Sequence, residues 1–169
     1  MDVKTAFLHG DLDKEIYIQQ PEGFVVSGKK HMVCKLTRSL YRLKKAPRQW
    51  YKKFDSFMNK SGFCKAEKDP CCYFKNTDSY VFLLLYVDDI LIAGSSMREI
   101  KNLKTRLFAA FEMKDLGPAK QILGMKISRD RSVGTSNLSQ ELYIEKVLSR
   151  FRVNDAKSKT TLLANHFKL

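Results

Sequence analysis

Tyr86-Val87-Asp88-Asp89 places two adjacent carboxylates between two apolar runs, Tyr80 to Val87 and Ile90 to Gly94. Runs of that length and side-chain type predict two paired strands. The acids then fall where the chain turns, because an ionised carboxylate left unpaired in a core is far too costly. Two carboxylates about 4 Å apart repel by roughly 4 kcal/mol at an effective dielectric near 20. A rigid hairpin that projects them together gains most when a cation neutralises them. Paired magnesium ions held by carboxylates and substrate phosphates are the common device for moving phosphoryl groups. Asp-Asp is also ordinary turn chemistry, since Asp hydrogen-bonds its own backbone, so the four residues alone leave both readings open.

Charge placement narrows the class. From Lys29 to Lys65, twelve lysines and arginines stand against a single acid, Asp55, so this stretch carries +11 of the net charge of +13. Tyr41, Trp50, Tyr51 and Phe54 are interleaved with it. A basic stripe mixed with aromatics suits salt-sensitive binding to a phosphate backbone; the aromatics themselves are expected to face the core. With 44% hydrophobic and 29% charged residues in a chain of 169, a folded domain is expected and disorder is not. No apolar run approaches the ~20 residues of a membrane span, so no membrane partner is expected. Met1 to Gly10 is mixed and charged, unlike a secretory signal. Cys34, Cys64, Cys71 and Cys72 form no C-x-x-C pair and the three histidines are scattered, which argues against structural zinc and for reduced thiols in an intracellular setting.

Local patterns predict the elements. Met1 to Leu8 reads as a strand, Glu15 to Gln19 and Val33 to Leu36 as short strands, and Pro47 as the start of a helix. In that helix Trp50, Tyr51, Phe54, Phe57 and Met58 recur at helical spacing until Gly62. Cys72 to Lys75 precedes the hairpin as a strand, with a turn at 76–79. Ser96 with Glu99 is a capping-box signature for a helix presenting Ile100, Leu103, Leu107, Phe108 and Phe111. Gln121 to Ser128 reads as a strand, and Ser139 as the cap of a last helix with Tyr143, Ile144, Val147, Leu148 and Phe151 in its stripe. The order predicts an α+β fold, an antiparallel sheet with helices on one face and the acids at the rim of the open face.

Several segments resemble the ordered motifs of Copia-type retrotransposon reverse transcriptases, nearest to plant elements of the Tnt type. They are Met1-Asp2-Val3-Lys4-Thr5-Ala6-Phe7-Leu8-His9-Gly10, Ser39 through Tyr51, and Tyr86-Val87-Asp88-Asp89. Met113-Lys114-Asp115-Leu116-Gly117, Ile122 through Ile127, and Leu138-Ser139-Gln140 with Tyr143-Ile144 belong with them. The resemblance covers essentially the whole chain. It implies a right-hand polymerase fold: palm at about 1–7 and 46–130, the second part of the fingers at about 8–45, and the start of a thumb at 131–169. It implies an RNA-directed DNA polymerase with Asp2 and Asp88 holding two Mg2+ ions (Mn2+ as the alternative), the Val3 carbonyl as a further ligand, and Asp89 as electrostatic support, with strand alternation pointing Asp89 elsewhere. Phe7 would sit beneath the incoming sugar and exclude a 2′-hydroxyl. Tyr41 and Arg42 would lie near nucleotide and template, Arg48 and Lys52 near the template backbone (with plain exposed surface as the equal alternative), and Lys114 near the leaving pyrophosphate. Leu123-Gly124-Met125 resembles a primer-grip hairpin, with a plain strand bend at glycine as the alternative.

The implied partners are an RNA or DNA template with its primer, deoxynucleoside triphosphates and the remainder of the Pol polyprotein, in a cytoplasmic particle. Three positions depart from the family pattern: Arg42 at a usual glycine, Lys45 at a usual glutamine, and Leu162-Leu163 where Pro-Leu is usual. The resemblance also implies that the preceding fingers segment, the rest of the thumb and the ribonuclease H domain belong to the complete enzyme. The 169-residue chain by itself is therefore expected to show negligible polymerase activity. Two non-catalytic readings stand beside this one, a basic nucleic-acid-binding remnant and a structural domain with an acidic turn. A shared site requires Asp2 close to Asp88.

Overall fold

The computed structural model describes residues 1–76 and 79–153; the middle of the expected 76–79 turn and the tail from 154, with Leu162-Leu163, lie outside the described residues. The chain is α+β and divides into two compact units, Met1–Gly117 and Pro118–Leu169. Among the described residues no helix is long and apolar enough to cross a membrane.

In the first unit, β1 (Asp2–Val3) leads into a single 3-10 turn, Ala6–His9. The expected strand over Met1 to Leu8 is thus cut short: Thr5 adopts φ 51°, a left-handed geometry that a strand cannot contain. Next come β2 (Tyr17–Gln19), β3 (Val33–Lys35), α1 (Ala46–Lys60), β4 (Cys64–Lys65) and β5 (Cys72–Asn76). Then follow β6 (Tyr80–Tyr86), β7 (Asp89–Gly94), α2 (Met97–Ala110) and β8 (Met113–Lys114). Proline opens α1 where its missing N–H costs nothing. The helix ends in a Gly62 turn, with the Phe63 N–H donating to the Met58 carbonyl at 3.1 Å. Ser96 caps α2 as the sequence predicts, its Oγ accepting the Glu99 N–H at 3.4 Å.

One antiparallel sheet in the order β4-β5-β6-β7-β1-β8 carries this unit. Alternation along β6 sends Val81, Leu83 and Leu85 inward and leaves Tyr80, Phe82 and Tyr86 exposed. Trp50, Phe54 and Met58 of α1 and Leu103 and Leu107 of α2 cover the inward face, together with Val3, Phe63, Tyr73, Ile90, Phe111 and Met113. Burying each large side chain contributes about 1.5–3 kcal/mol. Phe108, expected on the buried face of α2, is 43% exposed.

The second unit holds β9 (Gln121–Ile122), β10 (Met125–Asp130), β11 (Thr135–Ser139) and α3 (Glu141–Phe151), its strands ordered β11-β10-β9. The single strand expected over Gln121 to Ser128 is a hairpin: Leu123 (φ 50°) and Gly124 (φ 78°) form a two-residue left-handed turn. Ser139 closes β11, a strand the sequence reading did not assign, and its Oγ still accepts the Glu141 N–H at the start of α3 (3.1 Å). Val147 and Leu148 are half-buried on the apolar stripe, while Tyr143, Ile144 and Phe151 are exposed.

Candidate active site

The ladder between β6 and β7 ends with Tyr86 opposite Asp89, so the hairpin loop is two residues, Val87 and Asp88. Two-residue loops match strand twist when positive φ occurs inside them, a role usually given to Gly, Asn or Asp. Here Val87 takes φ 53°, which for a β-branched residue stores on the order of 1–3 kcal/mol of strain. Bonds from outside the hairpin hold the loop. Trp50 Nε1 donates to the Val87 carbonyl at 2.8 Å, and the Val3 N–H donates to the Asp88 carbonyl at 2.8 Å.

That second bond belongs to the feature that assembles the site. β1 is inserted between β7 and β8, with Asp2 opposite both Asp89 and Lys114. Ladder partners share a face with Cβ atoms about 4.5–5.5 Å apart. Asp89 is therefore not turned away from Asp2, as alternation counted from Asp88 predicts: Asp88 lies in the turn, and the alternating count begins at Asp89.

Asp88 feels the other two acids. Asp88 has its carboxyl pushed above the usual carboxylate range, first by burial, then by the negative charges of Asp2 and Asp89. Its Oδ1 is buried with no hydrogen-bond partner. A buried carboxylate oxygen without a donor, beside two further acids, is the chemistry that a hard cation satisfies. Among the described residues no group of three or more His, Cys, Asp or Glu side chains is arranged to hold a metal by itself.

Phe7, Tyr41 and Lys114, of the other sequence-predicted residues, lie at the same place. Phe7, on the 3-10 turn after β1, packs against Tyr41 with ring centroids 4.6 Å apart and planes tilted by 45°. The Tyr41 phenol is raised by burial and then by Asp88. Gly10 closes that turn against α1; a Cβ there would meet Gln49 Cβ and Trp50 N at 3.0 Å, so only glycine lets the segment approach so closely. Lys114 lies beside Asp2 on β8. Arg48 and Lys52 are exposed one turn apart on α1.

A sequence model of the reverse transcriptase (RNA-dependent DNA polymerase) family matches residues 1–165. The chain belongs to that family. It is 60% identical, over its full length, to the retrovirus-related Pol polyprotein from transposon TNT 1-94 of Nicotiana tabacum, of which it covers 13%. It is 37% identical to the Pol polyprotein from transposon RE1 of Arabidopsis thaliana, over all of this chain and 12% of that protein. It is also 37% identical to a putative transposon Ty5-1 protein of Saccharomyces cerevisiae, over 98% of this chain and 54% of that protein. No solved structure matches it. The chain is thus a Copia-type reverse transcriptase region that spans only about an eighth of the plant polyproteins it resembles.

In this reverse transcriptase region Arg42 has φ 74°, a geometry that favours glycine. Sequence reasoning assigned Trp50 to the core. Trp50 is in the core, 2% exposed, yet it also bonds the acidic turn. No periodicity signals a bond between residues 37 apart.

Proposed function

We propose that this chain is the catalytic segment of an RNA-directed DNA polymerase that transfers deoxynucleotides to a primer 3′-hydroxyl on an RNA or DNA template. The observation that carries this reading is the insertion of β1 beside β7, which brings Asp2 next to an acidic turn 86 residues away in sequence. A structural acidic turn has no need of a third acid from a distant strand.

In this reading Asp2, Asp88 and the Val3 carbonyl are the residues that would hold Mg2+, and Asp89 deepens the negative potential. Magnesium bound there supplies Lewis acidity that lowers the pKa of the attacking hydroxyl and steadies the leaving pyrophosphate. Phe7, buttressed by Tyr41, would form the floor under the incoming sugar and leave no room for a 2′-hydroxyl. Lys114 would stand within reach of the pyrophosphate as a proton donor. Arg48 and Lys52 would meet the template backbone as part of the basic stretch, while Arg42, near nucleotide and template, would crowd them. The six-stranded sheet with α1 and α2 supports a palm, about 1–7 and 46–130, with 8–45 as the second part of the fingers. The β9–β10 hairpin supports the primer-grip likeness over a plain bend, and the thumb would begin near 131, although the ladder from β10 to β11 runs across that boundary.

A binding remnant without chemistry remains the second reading, favoured by Arg42 in a glycine geometry. Primer extension by the complete polyprotein separates the two: Asp2→Asn and Asp88→Asn should each lower it by about a hundredfold or more while primer–template binding persists and weakens with salt. Extension that survives either substitution overturns the polymerase assignment of these residues. The isolated 169-residue chain should bind primer–template but not extend it, and extension abolished by Asp88→Ala would refute that.

A further inference from the structure

We propose that Trp50 is a positioning residue for the acidic turn, fixing Asp88 for cation binding through its indole N–H; this rests on reading Asp2 and Asp88 as the cation site. The loop that carries Asp88 contains a β-branched residue in left-handed geometry, Val87 at φ 53°, so it does not hold this shape on its own. Both of its carbonyls are taken by donors from outside the hairpin, Val3 N–H on one and Trp50 Nε1 on the other, each at 2.8 Å. The Val3 bond comes from a two-residue strand. The Trp50 bond comes from a ring locked in the core, packed on Phe54 at 5.4 Å and edge-on to Phe111 at 5.2 Å between centroids. Trp50 thereby ties the turn to α1, the helix that follows the Tyr41 loop. The packing of the ring and the aim of its N–H are separable functions: the first stabilises the fold, the second orients one peptide of the loop.

Trp50 is the sole tryptophan of the chain, so biosynthetic replacement of tryptophan by β-(3-benzothienyl)alanine exchanges that one N–H for sulfur and keeps the bicyclic ring. Mn2+ binding to the full 169-residue chain is read from the electron paramagnetic resonance of the free ion, with Asp88→Asn as the control. We expect Mn2+ binding that Asp88→Asn abolishes and that the analogue weakens about fivefold, the scale of one lost hydrogen bond, with the far-UV circular dichroism unchanged. Trp50→Phe, a second variant with a smaller ring, should weaken Mn2+ to a similar degree despite a lower melting temperature. Equal affinity in the analogue and the parent chain, with Asp88→Asn still abolishing binding, overturns the role of Trp50 and leaves the cation site standing. An affinity loss that appears only together with loss of the folded circular-dichroism signal makes Trp50 a core residue alone and also overturns it. No Mn2+ binding by the parent chain, or binding indifferent to Asp88→Asn, overturns the cation reading itself.

Discussion

Arg42→Gly should stabilise this protein. Arg42 holds φ 74°, a region that costs an L-residue roughly 1–2 kcal/mol because its Cβ crowds the following carbonyl. Glycine removes that crowding and introduces an opposing cost of about 0.4–1 kcal/mol, the extra freedom of the unfolded chain. The side chain itself contributes little: Arg42 is exposed and takes part in no ion pair among the described residues. The balance is a gain of about 0.5–1 kcal/mol, or a rise of about 1–4 °C in melting temperature for a chain of this size. Thermal and urea denaturation of four chains measure it. Strain alone orders them Gly above Asn, which tolerates left-handed geometry, with Ala level with the parent. Relief of charge repulsion alone would raise all three substitutions equally. A gain in Arg42→Ala as large as in Arg42→Gly refutes the strain argument, and a loss in Arg42→Gly refutes the backbone geometry.

Asp88→Asn should raise stability near neutral pH, with the gain fading as pH falls. The Asp88 carboxyl is raised in the folded state by burial and by Asp2 and Asp89, so the native protein binds this proton more tightly than the unfolded chain. The stabilisation from protonated Asp88 is complete below the unfolded value and is lost as pH rises through the folded one. Melting curves of both chains from pH 3 to pH 8 check this, and a difference independent of pH would refute it. In the complete polymerase, Phe7→Ala should raise ribonucleotide incorporation relative to deoxyribonucleotide by about tenfold or more, the scale of removing one steric exclusion; unchanged sugar selectivity in single-nucleotide extension would refute the floor.

What could be read from the sequence was local. The Tyr80–Gly94 hairpin, α1 with its Pro47 start and Gly62 stop, and α2 with its Ser96 cap are each specified by residues within a few positions of one another. What could not be read depended on backbone torsions or on partners far along the chain. Thr5 and Leu123 carry no turn signature, yet both adopt positive φ; the first breaks a strand and the second folds one back on itself. Thr135–Ser139 lacks the apolar alternation of a half-buried strand, and its residues are largely exposed in β11. The convergence of Asp2 on the turn was anticipated only through the family likeness, because nothing local in Met1 to Gly10 marks that acid. The place of Asp89 opposite Asp2 turns on one residue of register, and in a strand one residue reverses the face.

Charge makes the last connection. Most of the excess positive charge lies between Lys29 and Lys65, while the ladder brings three carboxylates together at the end of the β6–β7 hairpin. A nucleic acid attracted by the first is repelled by the second, since phosphates and carboxylates carry the same sign. At about 4 Å each such pair costs roughly 4 kcal/mol at an effective dielectric near 20, more than a surface lysine contact returns. On the proposed polymerase reading, the strand end would therefore reach the acids only with cations between them. Within the protein, burial first and then the charges of Asp2 and Asp89 raise the Asp88 carboxyl, whose Oδ1 has no hydrogen-bond partner. On the proposed polymerase reading, acids gathered at this internal cost in a chain whose Lys29–Lys65 stretch is strongly basic would meet a nucleic-acid end through a cation.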